Sequence, residues 1–197
     1  MISNSFNEVV LIGTSVIFNL PLAILPIQIL WIKMIEDSFP SIALAFDPIN
    51  DNVMSLPPRN PKEDILNKNF KKLLIFFILL SDSLLLFIFY YFFMNNGEKY
   101  AQTAVFVGMG IASRFYVFSI RNLHKSIFTY SIFKNKFVNI STIFGFFMIL
   151  IAVYFPFFNV ILHTVPLQIK DLAILICYGF ATLIIYEIGK KIFIYKN

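Results

Sequence analysis

Five stretches of this chain are each long and apolar enough to cross a bilayer as a helix, and nothing else constrains the fold as strongly. They cover about residues 27–46, 73–94, 101–120, 137–158 and 171–189. A helix needs about 20 mostly apolar residues to span roughly 30 Å of hydrocarbon. Lipid offers no partner to a free N–H or C=O, so a spanning segment must satisfy its backbone internally. A sixth stretch, about 8–20, is too short: Val9 to Leu20 would cover only about 18 Å at ~1.5 Å per residue. It then meets Pro21 and Pro26, which punctuate a tight turn. The expected fold class is therefore all-α: a polytopic transmembrane helix bundle of half a helix plus five full spans. Residues 1–197 form one membrane domain, with a loop over 47–72.

Composition agrees with lipid as the main partner. Apolar residues make up 58% of the chain and charged ones 14%, whereas a soluble domain is nearer half and a quarter. A disordered chain would show the reverse balance. The net charge is +5, but the charges cluster between apolar stretches, which argues against nucleic acid. One cysteine, Cys177, excludes a disulfide framework and a Cys-based zinc site. Its apolar surroundings in sequence read as a small buried hydrophobe. Residues 1–8 hold no Lys or Arg, so the n-region of a signal peptide is missing.

Orientation follows from Lys and Arg. Twelve of them fall in the 47–72 and 121–136 connections and the C-terminal tail, against Lys99 and Lys170 on the other side. The expectation is an integral protein of the plasma (cytoplasmic) membrane with a cytoplasmic C-terminus. Glu187, Lys190 and Lys191 read as the solvated end of the last helix. The Phe-rich faces read as lipid contact, and Trp31, Tyr90 and Tyr91 as packing or interface anchors. The 47–72 loop contains the stiff run Pro57-Pro58-Arg59-Asn60-Pro61-Lys62-Glu63, either a plain turn or a docking surface.

The apolar spans nevertheless carry Glu8, Lys33, Glu36, Asp37, Asp82 and Arg114. Each charge at the bilayer centre costs roughly 2.5–3.5 kcal/mol on insertion scales, so these groups must pair, neutralise or bind an ion. Counting residues puts Glu8, Glu36, Asp37, Asp82 and Arg114 about 15–20 Å from the nearer helix ends, close to the midplane. Lys33, Glu36 and Asp37 are spaced i, i+3 and i+4 and share one helix face. Pro40 follows, removing a backbone donor and releasing a carbonyl near Glu36. Carboxylates beside freed carbonyls suit a hard cation or a proton. Static salt bridges gluing the bundle are the alternative, and Asp82 stands open between pairing with Arg114 and an ion role.

The stretch from Pro26 to Pro48, with Lys33-Met34-Ile35-Glu36-Asp37-Ser38-Phe39-Pro40 at its centre, resembles the sixth transmembrane helix of P-type cation-transporting ATPases of the calcium and sodium pump type. Val53-Met54 and Pro57 to Glu63 resemble that family's next cytoplasmic loop. Asn7-Glu8-Val9-Val10 resembles the middle of its fifth helix, and His163-Thr164-Val165-Pro166-Leu167 the segment before its tenth. The resemblance implies the C-terminal membrane region from the middle of the fifth helix to the tenth. It implies that Glu8 and Asp37 are cation-ligating carboxylates, the two residues expected to touch a metal. It aligns Ser5 with a frequent Asn ligand, Glu36 with a frequent Thr, and Ser113 with a Glu ligand of some calcium pumps. Lys33 departs from the family pattern by replacing an amide ligand. Arg114 adds a second fixed cation, and with Asp82 the three tune the site's charge. Ammonium and guanidinium cannot ligate a metal. Three carboxylates against two cations leave one negative charge, which favours a proton or one monovalent cation as cargo while calcium stays open.

The family's Asp-Lys-Thr-Gly phosphorylation motif is absent from this sequence, as are a Gly-rich phosphate loop and the fourth-helix Pro-Glu-Gly-Leu break. No catalytic residue and no ATPase activity are expected of this chain alone. The resemblance implies that ATP and magnesium act in an N-terminal portion, which is then a partner of this chain. Met1 falling within a helix favours a fragment over a split subunit. The leading function is the ion-translocating portion of an ATP-driven pump. The rivals are a standalone membrane assembly or regulatory protein, and a channel or secondary transporter.

Overall fold

The computed structural model describes residues 2–46, 68–120, 126–127 and 135–194, without the side chains of 2–4 and Glu36. All regular structure among these residues is helical: α1 (Ile2–Ile17), α2 (Pro26–Trp31), a π-helical segment (Ile32–Asp37), α3 (Ser38–Ala45), α4 (Lys68–Asn96), α5 (Glu98–Ile120), α6 (Lys136–Tyr154), α7 (Pro156–Leu162) and α8 (Ile169–Phe193). Four of them, α4, α5, α6 and α8, are long and apolar enough to cross a membrane. Helices α2 and α3 and the π segment between them form one further run.

The boundaries differ from the sequence expectations for local reasons. Helix α1 is helical from Ile2 and stops at Ile17, short of Leu20. Asn19 then takes a left-handed conformation, φ 50°, which Asn tolerates better than most residues. Helix α4 begins at Lys68, so the last residues of the expected 47–72 loop are helical. The motifs at 53–54 and 57–63, and His124, lie outside the described residues. Gly97, at φ 85°, is the only residue between α4 and α5, a left-handed turn that glycine makes without a Cβ penalty. The expected span 137–158 is interrupted. Helix α6 ends at Tyr154 because Phe155 precedes Pro156 and is held extended, φ −90° and ψ 120°.

Helix α5 is the axis of the bundle. Of its membrane-length stretch 83% is buried, against 39% for α4 and α6 and 33% for α8. Small residues explain the closeness, because without a hydrophobic force between helices in lipid, packing relies on backbones that can approach. A Cβ added at Gly179 of α8 would lie 2.7 Å from Ile111 and Phe115 of α5. Buried Ala101, Ala104, Val105 and Val107 continue the core. The outer faces carry Phe87, Phe137, Phe147 and Phe157, the lipid contact the composition implied.

Buried amides tie the turns to this axis. The Gln102 side-chain amide donates to Leu22 O at 2.9 Å, and that of Gln28 to Leu162 O at 3.0 Å. Asn135 caps α6 by accepting from Phe137 N and Val138 N, and its amide donates to Ala43 O at the end of α3. It thereby serves orphan groups at two helix ends. In the 163–167 motif, Thr164 donates to Ala152 O at 2.6 Å and Val165 N donates to Thr103 Oγ1 at 3.1 Å.

Two expectations need correction and one open choice narrows. Lys190 is fully buried rather than solvated. Its ammonium lies 2.7 Å from Glu187 and donates to Ser119 O at 3.0 Å. Glu187 in turn accepts from the hydroxyls of Ser119 and Ser126. The cause is the packing of α8 on α5, which brings the Lys190 ammonium to Ser119. Gly189 also brings Leu73 and Phe76 of α4 close to α8. Second, Cys177 is exposed on the outer face of α8. Third, Asp82 does not pair with Arg114: neither of its oxygens has a hydrogen-bond partner among the described residues.

Candidate cation site

Helix α1 and the broken α2–α3 run meet at Lys33. The Lys33 ammonium lies 2.9 Å from Glu8 Oε1 and 3.2 Å from Asp37 Oδ2. It donates to Ser5 Oγ at 3.2 Å. Glu8 and Ser5 come from one helix, Lys33 and Asp37 from the other, so an ammonium holds carboxylates of two elements together. Glu8 and Asp37 are buried, while 30% of the Lys33 side chain is exposed. The carboxylates are thus shielded from solvent while the ammonium is partly open to it.

The backbone here is locally widened. Residues Ile32–Asp37 form a π turn, a rare device that concentrates at functional sites. Pro40 is buried in the first turn of α3 and offers no N–H to the turn before it. Two serines take up carbonyls at the break: Ser38 Oγ donates to Lys33 O at 2.9 Å and Ser41 Oγ to Asp37 O at 2.7 Å. The sequence signalled the break through Pro40, but not that hydroxyls would occupy these carbonyls. The Glu36 side chain lies outside the described residues.

A cavity of about 210 Å³ lies beside the cluster, lined by Asp37, Pro40, Ser41, Ser113 and Tyr116 among others. Ser113 therefore faces the same space as Asp37, although its hydroxyl donates to Met109 O at 2.9 Å. Arg114, 1% exposed, is carried to the other side of α5. Its guanidinium fills the space over Gly145 of α6, where a Cβ would collide with it. Gly145 went unnoticed in the sequence, because its role depends on how α5 and α6 are rotated. Asp82 stands apart on α4. Among the described residues no three His, Cys, Asp or Glu side chains gather as a metal site.

Comparison with known proteins gives the same direction. Residues 21–192 match the family model described as cation transporting ATPase, C-terminus. The chain is 28% identical over 87% of its length to a calcium-transporting ATPase of Bacillus subtilis, covering 19% of that protein. It is 29% identical over 96% of its length to calcium-transporting ATPase 1 of Saccharomyces cerevisiae, covering 20%. It is 31% identical over 97% to calcium-transporting ATPase type 2C member 1 of Pongo abelii, covering 21%. The chain thus spans about a fifth of the length of the relatives it matches.

Proposed function

The chain belongs to the cation-transporting ATPases, as their C-terminal membrane part, and we propose that it carries part of the path by which such a pump moves a cation across the bilayer. Glu8 and Asp37 are the cation-binding carboxylates of this reading, with Ser5, Glu36 and Ser113 completing the shell. Lys33 acts as a resident cation. The observation that carries the reading is the ammonium seated between carboxylates of two separate helices, one of them broken at that level. A pair of carboxylates is held ready for positive charge, and a lysine supplies it until a cargo ion displaces the amine. Lys33 has room to leave, because its side chain is partly exposed.

With Glu36 protonated, the Lys33 ammonium against Glu8 and Asp37 leaves a single negative charge for the cargo to balance. That supports a proton or a monovalent cation. Calcium, the ion named for the relatives, is the second reading and requires Lys33 to withdraw entirely. Hydrolysis of ATP with magnesium takes place in parts of the pump outside this chain. The protein is membrane-integral; the charge bias supports a cytoplasmic C-terminus, and we place it in the plasma membrane.

The test is Lys33→Asn, read as cations moved per ATP in a pump that contains this chain. Removing the resident charge should raise the charge transported per cycle or confer binding of a divalent ion. An unchanged stoichiometry would remove Lys33 from the role given to it here. Loss of cation-dependent turnover in Glu8→Gln and Asp37→Asn is expected under either ion.

A further inference from the structure

Asp82 lies in the middle of α4 with 1% of its surface exposed. Neither of its oxygens meets a hydrogen-bond donor among the described residues. A carboxylate so placed neutralises rather than remain charged without water or a partner. It does so by holding a proton.

Among the described residues, the neighbouring helices supply no countercharge. On α1, Glu8 is engaged with Lys33. On α5, Arg114 is turned toward Gly145 of α6, while Tyr116 packs on Phe77 and Glu98 and Lys99 sit at the helix start. On α8, Glu187 and Lys190 pair with each other, and Asp171 accepts from Tyr100. Tyr186 packs on Phe77. What does reach this part of α4 is Tyr178 of α8. Its hydroxyl donates at 3.4 Å to Ser81 O, the carbonyl just before Asp82.

Tyr178 has a second neighbour. With Asn7, Ser113 and others it lines a small cavity of about 10 Å³, at the lower limit for one water. Asn7 is buried, and its side-chain oxygen has no hydrogen-bond partner among the described residues. It directly precedes Glu8.

We propose that Asp82 is a proton-binding site of this membrane domain. The step is acid–base exchange. The Asp82 O–H bond breaks and its electron pair stays on the carboxylate. The proton passes to water, and reloading runs in reverse. No oxidant or co-reactant is involved. This site does not depend on the transport reading, since it would hold its proton whether or not Glu8 and Asp37 bind a cation.

The full chain, reconstituted in phosphatidylcholine bilayers, tests it by infrared spectroscopy. A protonated-carboxyl C=O band should persist at neutral pH and above. Asp82→Asn should abolish the band, and Glu8→Gln should leave it. Asp82→Glu, which keeps a carboxyl, should move the band rather than remove it, so the assignment does not hang on one variant's folding. In D₂O the band shifts as the proton exchanges. A missing band at neutral pH, or one indifferent to both Asp82 substitutions, overturns the site.

Discussion

Lys33 and Lys190 are both lysines set into apolar helices beside a glutamate, yet their surroundings set opposite tasks. Lys190 is fully buried, pairs with Glu187 of its own helix and donates to a carbonyl of α5. Its partners sit in the dense α4–α5–α8 block, where Gly189 and Gly179 let backbones close up. Lys33 bridges two different elements, lies on a π turn and keeps 30% of its side chain exposed. A charge locked within packed helices fixes a structure. A charge held between two elements and partly open to solvent can be exchanged. The same residue type is thus architecture in one half of the molecule and, under the proposed function, a working part in the other.

The largest effect expected from breaking this contrast is at the locked lysine. Lys190→Met leaves Glu187 largely buried without its cation. Removing one partner of a buried pair costs about 3–5 kcal/mol, and the hydroxyls of Ser119 and Ser126 soften this only in part. Unfolding of the reconstituted chain should show a clear loss of stability, and Glu187→Gln with Lys190→Met should recover part of it. A loss no greater than that at Lys33 would dissolve the distinction.

The packing that surrounds Lys190 is tested next. Gly179→Ala puts a methyl 2.7 Å from Ile111 and Phe115, closer than carbon atoms tolerate. Overpacking of this kind costs about 1–3 kcal/mol. Gly13 has nothing within 4 Å of the equivalent position, so Gly13→Ala should be neutral or stabilising, because alanine favours helix. The same substitution is therefore expected to differ in sign between α8 and α1, measured by unfolding both variants side by side.

At the open lysine the stability effect is smaller and the functional effect larger. Lys33→Met removes an ion pair that solvent partly screens, and such pairs contribute about 0–1 kcal/mol. The chain should keep its fold, read from its helical circular dichroism, while its cation response changes. A large loss of stability would mean that Lys33 is a strut like Lys190.

How legible this contrast was in the sequence depends on the kind of information each half needs. The site half was largely visible. Lys33 and Asp37 share a face through their i, i+4 spacing, Glu8 lies at matching depth in a helix joined by a tight turn, and Pro40 marks the break. These are local or one-turn relations. The locked half was misread because Lys190 follows an apolar run and stands beside Lys191, as a solvated tail would. Only the rotation of α8 toward α5 buries it. Arg114 over Gly145, and Tyr178 beside Ser81, likewise depend on how helices far apart in sequence are turned toward each other. The resemblance to a family supplied the order of the helices but not these rotations.

Cys177 gives the smallest expected effect and the most direct check on that rotation. Its neighbours Tyr178 and Gly179 are buried while Cys177 and Phe180 are exposed, so α8 turns its cysteine outward and its tyrosine inward. A side chain on the outer face loses little when shortened, and Cys177→Ala should change stability by no more than about 0.5 kcal/mol. Tyr178→Ala, one residue on and buried, should cost about 3–5 kcal/mol, the range for truncating a buried large aromatic. Unfolding midpoints of the two variants, measured in the same lipid, would fix the face that α8 presents to α4 and α5. Equal losses would mean that α8 is rotated from the position described. Gly179 would then lose its place against Phe115, and Tyr178 its place beside Ser81.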